Sequence, residues 1–319
     1  MNGIAKHAAV AAMLAAFSYP VLAQDPANVQ DQGPVVVQGT DIAPEFRIEA
    51  LGLVNDARAE AGLPELVSSE VLDRAAQGHA ADMLDRDYYD HVTPEGETPF
   101  ERYLAADGNP WAVSGENIAT CEGCPTPPDV EQLRSFHEGW MQSPGHRENI
   151  LSEGFDSFGF GIVGEGDEIY AVQTFSGPGT DEADELADEA ARDVALEEVN
   201  AIRAEAGYDP LTESEALDTV AQRILESLTT EPEALPKDVF GLLPEGSTGW
   251  TSLDIQSASL GGTGTALSRK DVVVIVSDWA AASEGDKSLG SPASSHFGFA
   301  AESAGDGRTT AVAIFGGQE

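Results

Sequence analysis

The chain has 319 residues, 41% of them apolar, with a formal net charge of −40 and an isoelectric point near 4.1. That length and apolar content suit two domains of ordinary size with real cores and exclude a disordered chain. The charge repels nucleic acid and anionic lipid headgroups and excludes both as partners.

The N-terminus carries Lys6, an apolar run from Ala8 to Phe17, and Val21-Leu22-Ala23 before Gln24. A short positive region, a brief hydrophobic core and small residues at the cut site describe an export signal over residues 1–23, too short to span a membrane. Residues 24–44, with Pro26, Pro34 and Pro44 among polar residues, read as a flexible lead-in. No other stretch approaches a membrane span, so the expected location is secreted or periplasmic.

From Glu45 to Ala61 the apolar positions Ile48, Leu51, Val54 and Ala57 recur at helical spacing, and Gly62 closes the helix. A second helix starts near Ser68, with Leu72, Ala75, Ala76, His79 and Met83 on one stripe. His79 on that stripe reads as a buried histidine satisfied by a backbone group and is left out of the site. The turn-rich Tyr88–Gly96 segment puts His91 on a loop, and Thr98-Pro99-Phe100-Glu101 makes a capping box for the next helix. In Ser114-Gly115-Glu116-Asn117-Ile118-Ala119 the carboxylate is either a solvated loop charge or a buried, paired one.

The only cysteines lie in Cys121-Glu122-Gly123-Cys124. In an exported chain the pair reads as a disulfide pinning a loop; a redox motif lacks the thioredoxin-like context, and two cysteines alone leave a zinc site incomplete. Thr126-Pro127-Pro128-Asp129 then opens a helix bearing Val130, Leu133, His137, Trp140 and Met141. Ser143-Pro144-Gly145 stops it and places His146 at a breaker-rich loop position. Two strands, Phe158–Val163 and Ile169–Phe175, follow with a short loop of Gly164–Asp167 between them. Helices first and strands late predict an α+β arrangement with helices covering a small antiparallel sheet.

Residues 180–192 are almost wholly Asp, Glu and Ala, a solvated helix or acidic linker. Then the order of signals repeats. Val199-Asn200-Ala201-Ile202-Arg203 restates Val54-Asn55-Asp56-Ala57-Arg58, Leu217-Asp218 restates Leu72-Asp73, and Phe297-Gly298-Phe299 restates Phe158-Gly159-Phe160. Two halves with the same signals imply one fold used twice. In that alignment His91 meets Pro236, His146 meets Gly285, and no Gly-Glu-Asn occurs in the second half, so the second copy is degenerate.

His91 and His146, with Glu116 between them in sequence, form a candidate zinc shell of two imidazoles and a carboxylate, with a fourth position left to water. The motifs Asp90-His91-Val92-Thr93-Pro94-Glu95-Gly96, Gly115-Glu116-Asn117-Ile118-Ala119 and Trp140-Met141-Gln142-Ser143-Pro144-Gly145-His146-Arg147-Glu148-Asn149-Ile150-Leu151 resemble the bacterial branch of the CAP superfamily. That superfamily groups cysteine-rich secretory, antigen 5 and pathogenesis-related-1 proteins, also called SCP-like domains. The resemblance implies an α-β-α sandwich over residues 45–178 and extends weakly over 195–319, where the repeat places the degenerate copy; composition makes residues 179–194 the acidic linker between them. It also implies a cleft of two histidines and two acids, sometimes holding zinc or another divalent cation. Glu116 supplies the first acid; at the place of the second stands Ser143, and Glu138 on the same helix is the substitute to test. The expected function is an exported binding module for an extracellular ligand, lipid or cell-envelope component. The alternative is a metal-dependent peptide or ester hydrolase with Glu116 as base.

Overall fold

The computed structural model describes residues 44–182, 185–230, 235–236, 238–282 and 289–318. The expected export signal, and the lead-in apart from Pro44, lie outside them. The first half begins with α1 (Pro44–Glu60), followed by β1 (Val67–Ser68) and α2 (Glu70–Arg86). Next come α3 (Pro99–Ala105), β2 (Val113–Glu122), α4 (Val130–Gln142), α5 (Pro144–Ile150), β3 (Ser157–Glu165) and β4 (Glu168–Gly177). Its sheet runs β1-β3-β4-β2, with β1 parallel to β3 and the other pairs antiparallel.

Local chemistry sets the ends of these elements. Ser69 caps α2 by accepting from the Leu72 N–H, and Asp129 caps α4 by accepting from the Gln132 N–H. Thr98 and Glu101 form the expected capping box on α3. The expected stop at Ser143 is real but brief. Pro144 takes the first position of α5, so His146 lies in the first turn of a short helix rather than on a loop, because proline is preorganised for a helix start. The β3–β4 hairpin is also tighter than expected, with only Gly166-Asp167 between the strands.

The sequence Phe158-Gly159-Phe160-Gly161-Ile162 reads as period-two alternation, and the two faces of the sheet use it differently. Phe158, Phe160 and Ile162 pack with Ala50 and Val54 of α1, Leu133, Phe136 and Trp140 of α4, and Ile150 of α5. On the other face, a Cβ on Gly159 would overlap the Leu72 carbonyl carbon, and one on Gly161 would overlap the Gln77 nitrogen. Glycine there lets α2 lie directly on the sheet, where Ala76, Ala80 and Met83 meet Ile118, Val163 and Val172. The result is helices, sheet and helix in three layers.

The second half presents α6 (Asp188–Ala206), β5 (Thr212–Glu213), α7 (Glu215–Thr230), β6 (Trp250–Leu260), α8 (Arg269–Ala282), β7 (His296–Ser303) and β8 (Thr309–Gln318). Its sheet runs β5-β7-β8-β6 with the same parallel and antiparallel pairings. Specific devices recur. Asn55 exchanges two hydrogen bonds with the Leu66 backbone, and Asn200 does so with Leu211. Asp73 accepts from the Phe160 N–H and Asp218 from the Phe299 N–H, each at 2.9 Å. The close approach at Gly159 recurs at Gly298, where a Cβ would overlap the Leu217 carbonyl carbon.

Buried arginines form the fourth shared device. Arg58 donates to the carbonyls of Pro64, Ile150, Ser152 and Phe155, and Arg203 to those of Asp209, Leu289, Ser291 and Ser294. Each guanidinium fork thereby collects one backbone acceptor from the connection after its own helix and three from the segment leading into the central hairpin.

Candidate functional site

Register places the site. Glu116 pairs with Thr174 and shares the α2 face of the sheet, whereas Asn117 pairs with Gln173 and lies on the face of α4 and α5. Because β2 is an edge strand, groups from both faces meet along its free side. Of the two readings of Glu116 left open by sequence, the buried, paired one holds: its side chain is 2% exposed.

Both Glu116 oxygens are engaged. Oε1 accepts from His91 Nδ1 at 2.9 Å and lies 3.8 Å from His79 Nε2, and Oε2 accepts from Arg102 Nη2 at 2.8 Å. Arg102 also donates to the His91 carbonyl at 2.9 Å, and His79 Nε2 donates to the Asp90 carbonyl at 3.0 Å. Arg102 from α3 therefore bridges the His91 carbonyl and the Glu116 carboxylate, while His79 from α2 holds the Asp90 carbonyl beside that carboxylate. A carboxylate on Nδ1 sets the proton there and leaves His91 Nε2 free, in a ring 44% exposed to solvent.

His146 reaches the site from the opposite face. Asn117 Nδ2 donates to the His146 carbonyl at 3.1 Å and to Gln173 Oε1 at 3.0 Å. Asn149 Nδ2 donates to the Glu116 carbonyl and to Asn117 Oδ1. The Gly-Glu-Asn and His-Arg-Glu-Asn motifs are thus stitched to each other by their asparagines. Burial holds His146 below the usual histidine value, and His91 lowers it further whenever that ring is protonated. Beside His146 is a cavity of about 290 Å³ lined by Tyr89, Ile118, Phe136, Trp140 and Ser143 among others. The Ile118 carbonyl there accepts from both Tyr89 Oη and Trp140 Nε1.

The expected residues are thus partly brought together. His91 and Glu116 are in contact, and Ser143 lines the cavity with His146. Glu138 is exposed and acts on His137 instead. The expected three-ligand shell is not assembled: no group of three or more His, Cys, Asp or Glu side chains among the described residues could hold a metal ion. The physical reason is that Glu116 is spent on His91 and Arg102 and stands behind the imidazole. Sequence reasoning missed Arg102, and it gave His79 a backbone partner, which is the Asp90 carbonyl, without the neighbouring Glu116. Cys121 and Cys124 form the expected disulfide, and the loop they close is tied to the β3–β4 hairpin by Cys124 N–H donating to the Asp167 carbonyl. In the second half Ile255 occupies the register position of Glu116, paired with Ile314 in an apolar cluster.

Burial holds His79, His137 and His146 all below the usual 6.5. With folded values depressed, the unfolded chain binds protons that the native state refuses once the pH falls below about 6.5, so these rings cost stability at acid pH. Urea denaturation should show stability falling between about pH 7 and about pH 5, with a shallower slope in His137→Leu. The Nδ1 of His137 is buried without a hydrogen-bond partner. Stability that rises on acidification through this window would contradict the assignment.

An α-β-α sandwich with two imidazoles at the edge of its sheet, one backed by a buried carboxylate, defines a CAP-type module. Residues 51–175 match the model of the cysteine-rich secretory protein family, CAP, and the chain carries a domain of that family there. The chain is 35% identical over 121 residues to the uncharacterized protein YkwD of Bacillus subtilis (strain 168), covering 38% of this chain and 44% of that one. It is 30% identical over 127 residues to the uncharacterized membrane protein YlbC of the same organism, covering 40% of this chain and 33% of that one. The chain therefore spans less than half the length of either relative. A solved structure of an extracellular protein containing a SCP domain from Bacillus anthracis str. Ames is similar at 25% identity, with a TM-score of 0.34, covering 44% of this chain and 45% of that one.

Proposed function

We propose that the chain is an exported binding module whose first half holds a divalent cation, zinc in the first instance, between His91 and His146. The observation that carries this is the Glu116–His91 hydrogen bond of 2.9 Å, which fixes the ring and aims Nε2 outward. A carboxylate behind a ligating imidazole is the usual support of a metal-bound histidine. The depressed His146 supports the same reading, since only the neutral ring ligates. The donor set fits an open, two-imidazole site, with the remaining positions supplied by solvent or by the ligand being bound. Bound there, the ion would supply a Lewis-acidic anchor for an oxygen or nitrogen of that ligand.

The residues of this chain orient and position. Glu116 orients His91, Arg102 and His79 hold the Asp90-His91 backbone, Asn117 and Asn149 position His146, and an open cavity lined in part by aromatic side chains lies beside it. Hydrolysis with Glu116 as base is less favoured, because both carboxylate oxygens are already hydrogen-bonded and 2% of the side chain is exposed. The second half is proposed as a structural copy of the same fold without the site. Export is supported by the N-terminal sequence pattern, and no helix among the described residues is long and apolar enough to cross a membrane.

Calorimetric titration with zinc tests the metal reading. Wild type should bind, and His91→Ala and His146→Ala should each weaken binding at least about tenfold, or roughly 1.4 kcal/mol. Glu116→Gln should weaken it about 10- to 100-fold through His91 alone. Equal heats in wild type and both alanine variants would overturn the proposal.

A further inference from the structure

The second half lacks the site but is not merely tethered to the first. Two of its loops, 261–268 after β6 and 304–308 between β7 and β8, press on the segment joining α3 to β2 and on the end of β4. Gly262 N–H donates to the Trp111 carbonyl at 2.7 Å, and Gly264 N–H donates to the Pro178 carbonyl at 2.9 Å. Asn109 Nδ2 donates to the Asp306 carbonyl at 3.0 Å, and the Arg308 guanidinium lies 5.7 Å from the Trp111 ring centroid. Asp181, at the start of the acidic stretch, accepts from the backbone N–H groups of Thr265 and Ala266 and from the Thr265 hydroxyl.

The fit is at backbone level. Gly307 has φ +92°, and a Cβ there would sit 2.7 Å from the Pro178 carbonyl oxygen and 2.9 Å from that of Trp111. A Cβ on Gly262, at φ +71°, would meet Val113 Cγ1 at 2.8 Å. Contacts this close leave no room for the two surfaces to slide.

The gripped segment matters because of what it joins. On one side is α3, which delivers Arg102 to Glu116 and to the His91 carbonyl; on the other is β2, which delivers Glu116 three residues after Val113. Within the segment, Asn109 N–H donates to Tyr103 Oη of α3, and Asn109 Oδ1 accepts from the Trp111 N–H, so the connection is folded tightly onto the helix. Val113 pairs with Gly177, so the second half touches both strands of the sheet end from which Glu116 projects.

We infer that the second half is a positioning element for the site in the first half, clamping the Asn109–Val113 connection so that Arg102 and Glu116 keep their registration on His91. This builds on the cluster assigned above, but it concerns the cluster's rigidity and not the identity of its ligand. It explains what a copy without site residues does: its two loops hold the connection while its core supplies the rigid body behind them.

Hydrogen exchange on the full-length chain, compared with Gly307→Val and Arg308→Ala, tests it. Amides of residues 109–122 should exchange about tenfold or more faster in Gly307→Val and measurably faster in Arg308→Ala, while α2, β7 and β8 keep wild-type protection. The His91 ring resonances should shift in Arg308→Ala, with those of His137 unchanged. Wild-type exchange at 109–122 in both variants would overturn the inference, as would acceleration spread equally over α2, β7 and β8. Because the readout is exchange and ring environment, failure of the zinc titration leaves this result standing, and the reverse holds as well.

Discussion

Arg58→Ala is expected to destabilise the first half by about 4 kcal/mol or more. The residue is 1% exposed, and its guanidinium is donor to four carbonyls, those of Pro64, Ile150, Ser152 and Phe155. Truncation leaves these acceptors without partners at roughly 1–3 kcal/mol for each that water cannot reach, and it removes the packed stem as well. Ile150 ends α5, which carries His146, so the damage should spread to the site. Arg58→Lys should recover little, because one ammonium cannot span acceptors spread along a chain from residue 64 to residue 155. Urea denaturation checks this, and Arg203→Ala should reproduce the loss in the second half through Asp209, Leu289, Ser291 and Ser294. A loss below about 1 kcal/mol in either variant would mean that the forks are decorative.

Glu116→Ala is expected to cost about 3–5 kcal/mol, because it strands Arg102 as a buried cation. The Arg102 side chain is 9% exposed, and its acceptors besides Glu116 are the carbonyls of Glu97 and His91. Glu116→Gln should cost less, since the amide oxygen can still accept one hydrogen bond, but it should release His91 from its fixed orientation. A double variant, Glu116→Leu with Arg102→Met, should recover much of the stability without restoring zinc affinity. That separation of stability from binding is what distinguishes a carboxylate that positions a ring from one that only balances a charge.

Much of the scaffold was legible in the sequence, because it rests on short-range chemistry. The capping box at Thr98, the Phe-Gly alternation of β3 and the Asn55–Arg58 pattern restated at Asn200–Arg203 each need only a few neighbouring residues to be recognised. The disulfide was legible too, since only two cysteines exist. The position of His146 was misread, because Ser143-Pro144-Gly145 is both a stop for one helix and a good start for another, and sequence shows only the break.

The site was legible as far as its motifs reach. Gly-Glu-Asn and the two histidines are visible, but the role of Glu116 depends on what stands opposite each of its oxygens. Arg102 reads as one more charge on a short exposed helix until α3 is docked against β2. His79 reads as core, and it is core; its proximity to Glu116 comes from the lie of α2 over the sheet, which the absence of a Cβ at Gly159 and Gly161 allows. The replacement of Glu116 by Ile255 in the second half follows the same offset of 139 that pairs Phe158 with Phe297, and the sheet register agrees with it.

The most direct test is nitrogen-detected NMR of the histidine side chains in wild type and Glu116→Gln, with and without zinc. In wild type, His91 should carry its proton on Nδ1, and its Nε2 should shift on adding zinc together with a ring nitrogen of His146; in Glu116→Gln the Nδ1 preference should weaken. A His91 protonated on Nε2, or rings of His91 and His146 that ignore zinc, would contradict a cleft in which Glu116 holds one imidazole ready to share a cation with the other.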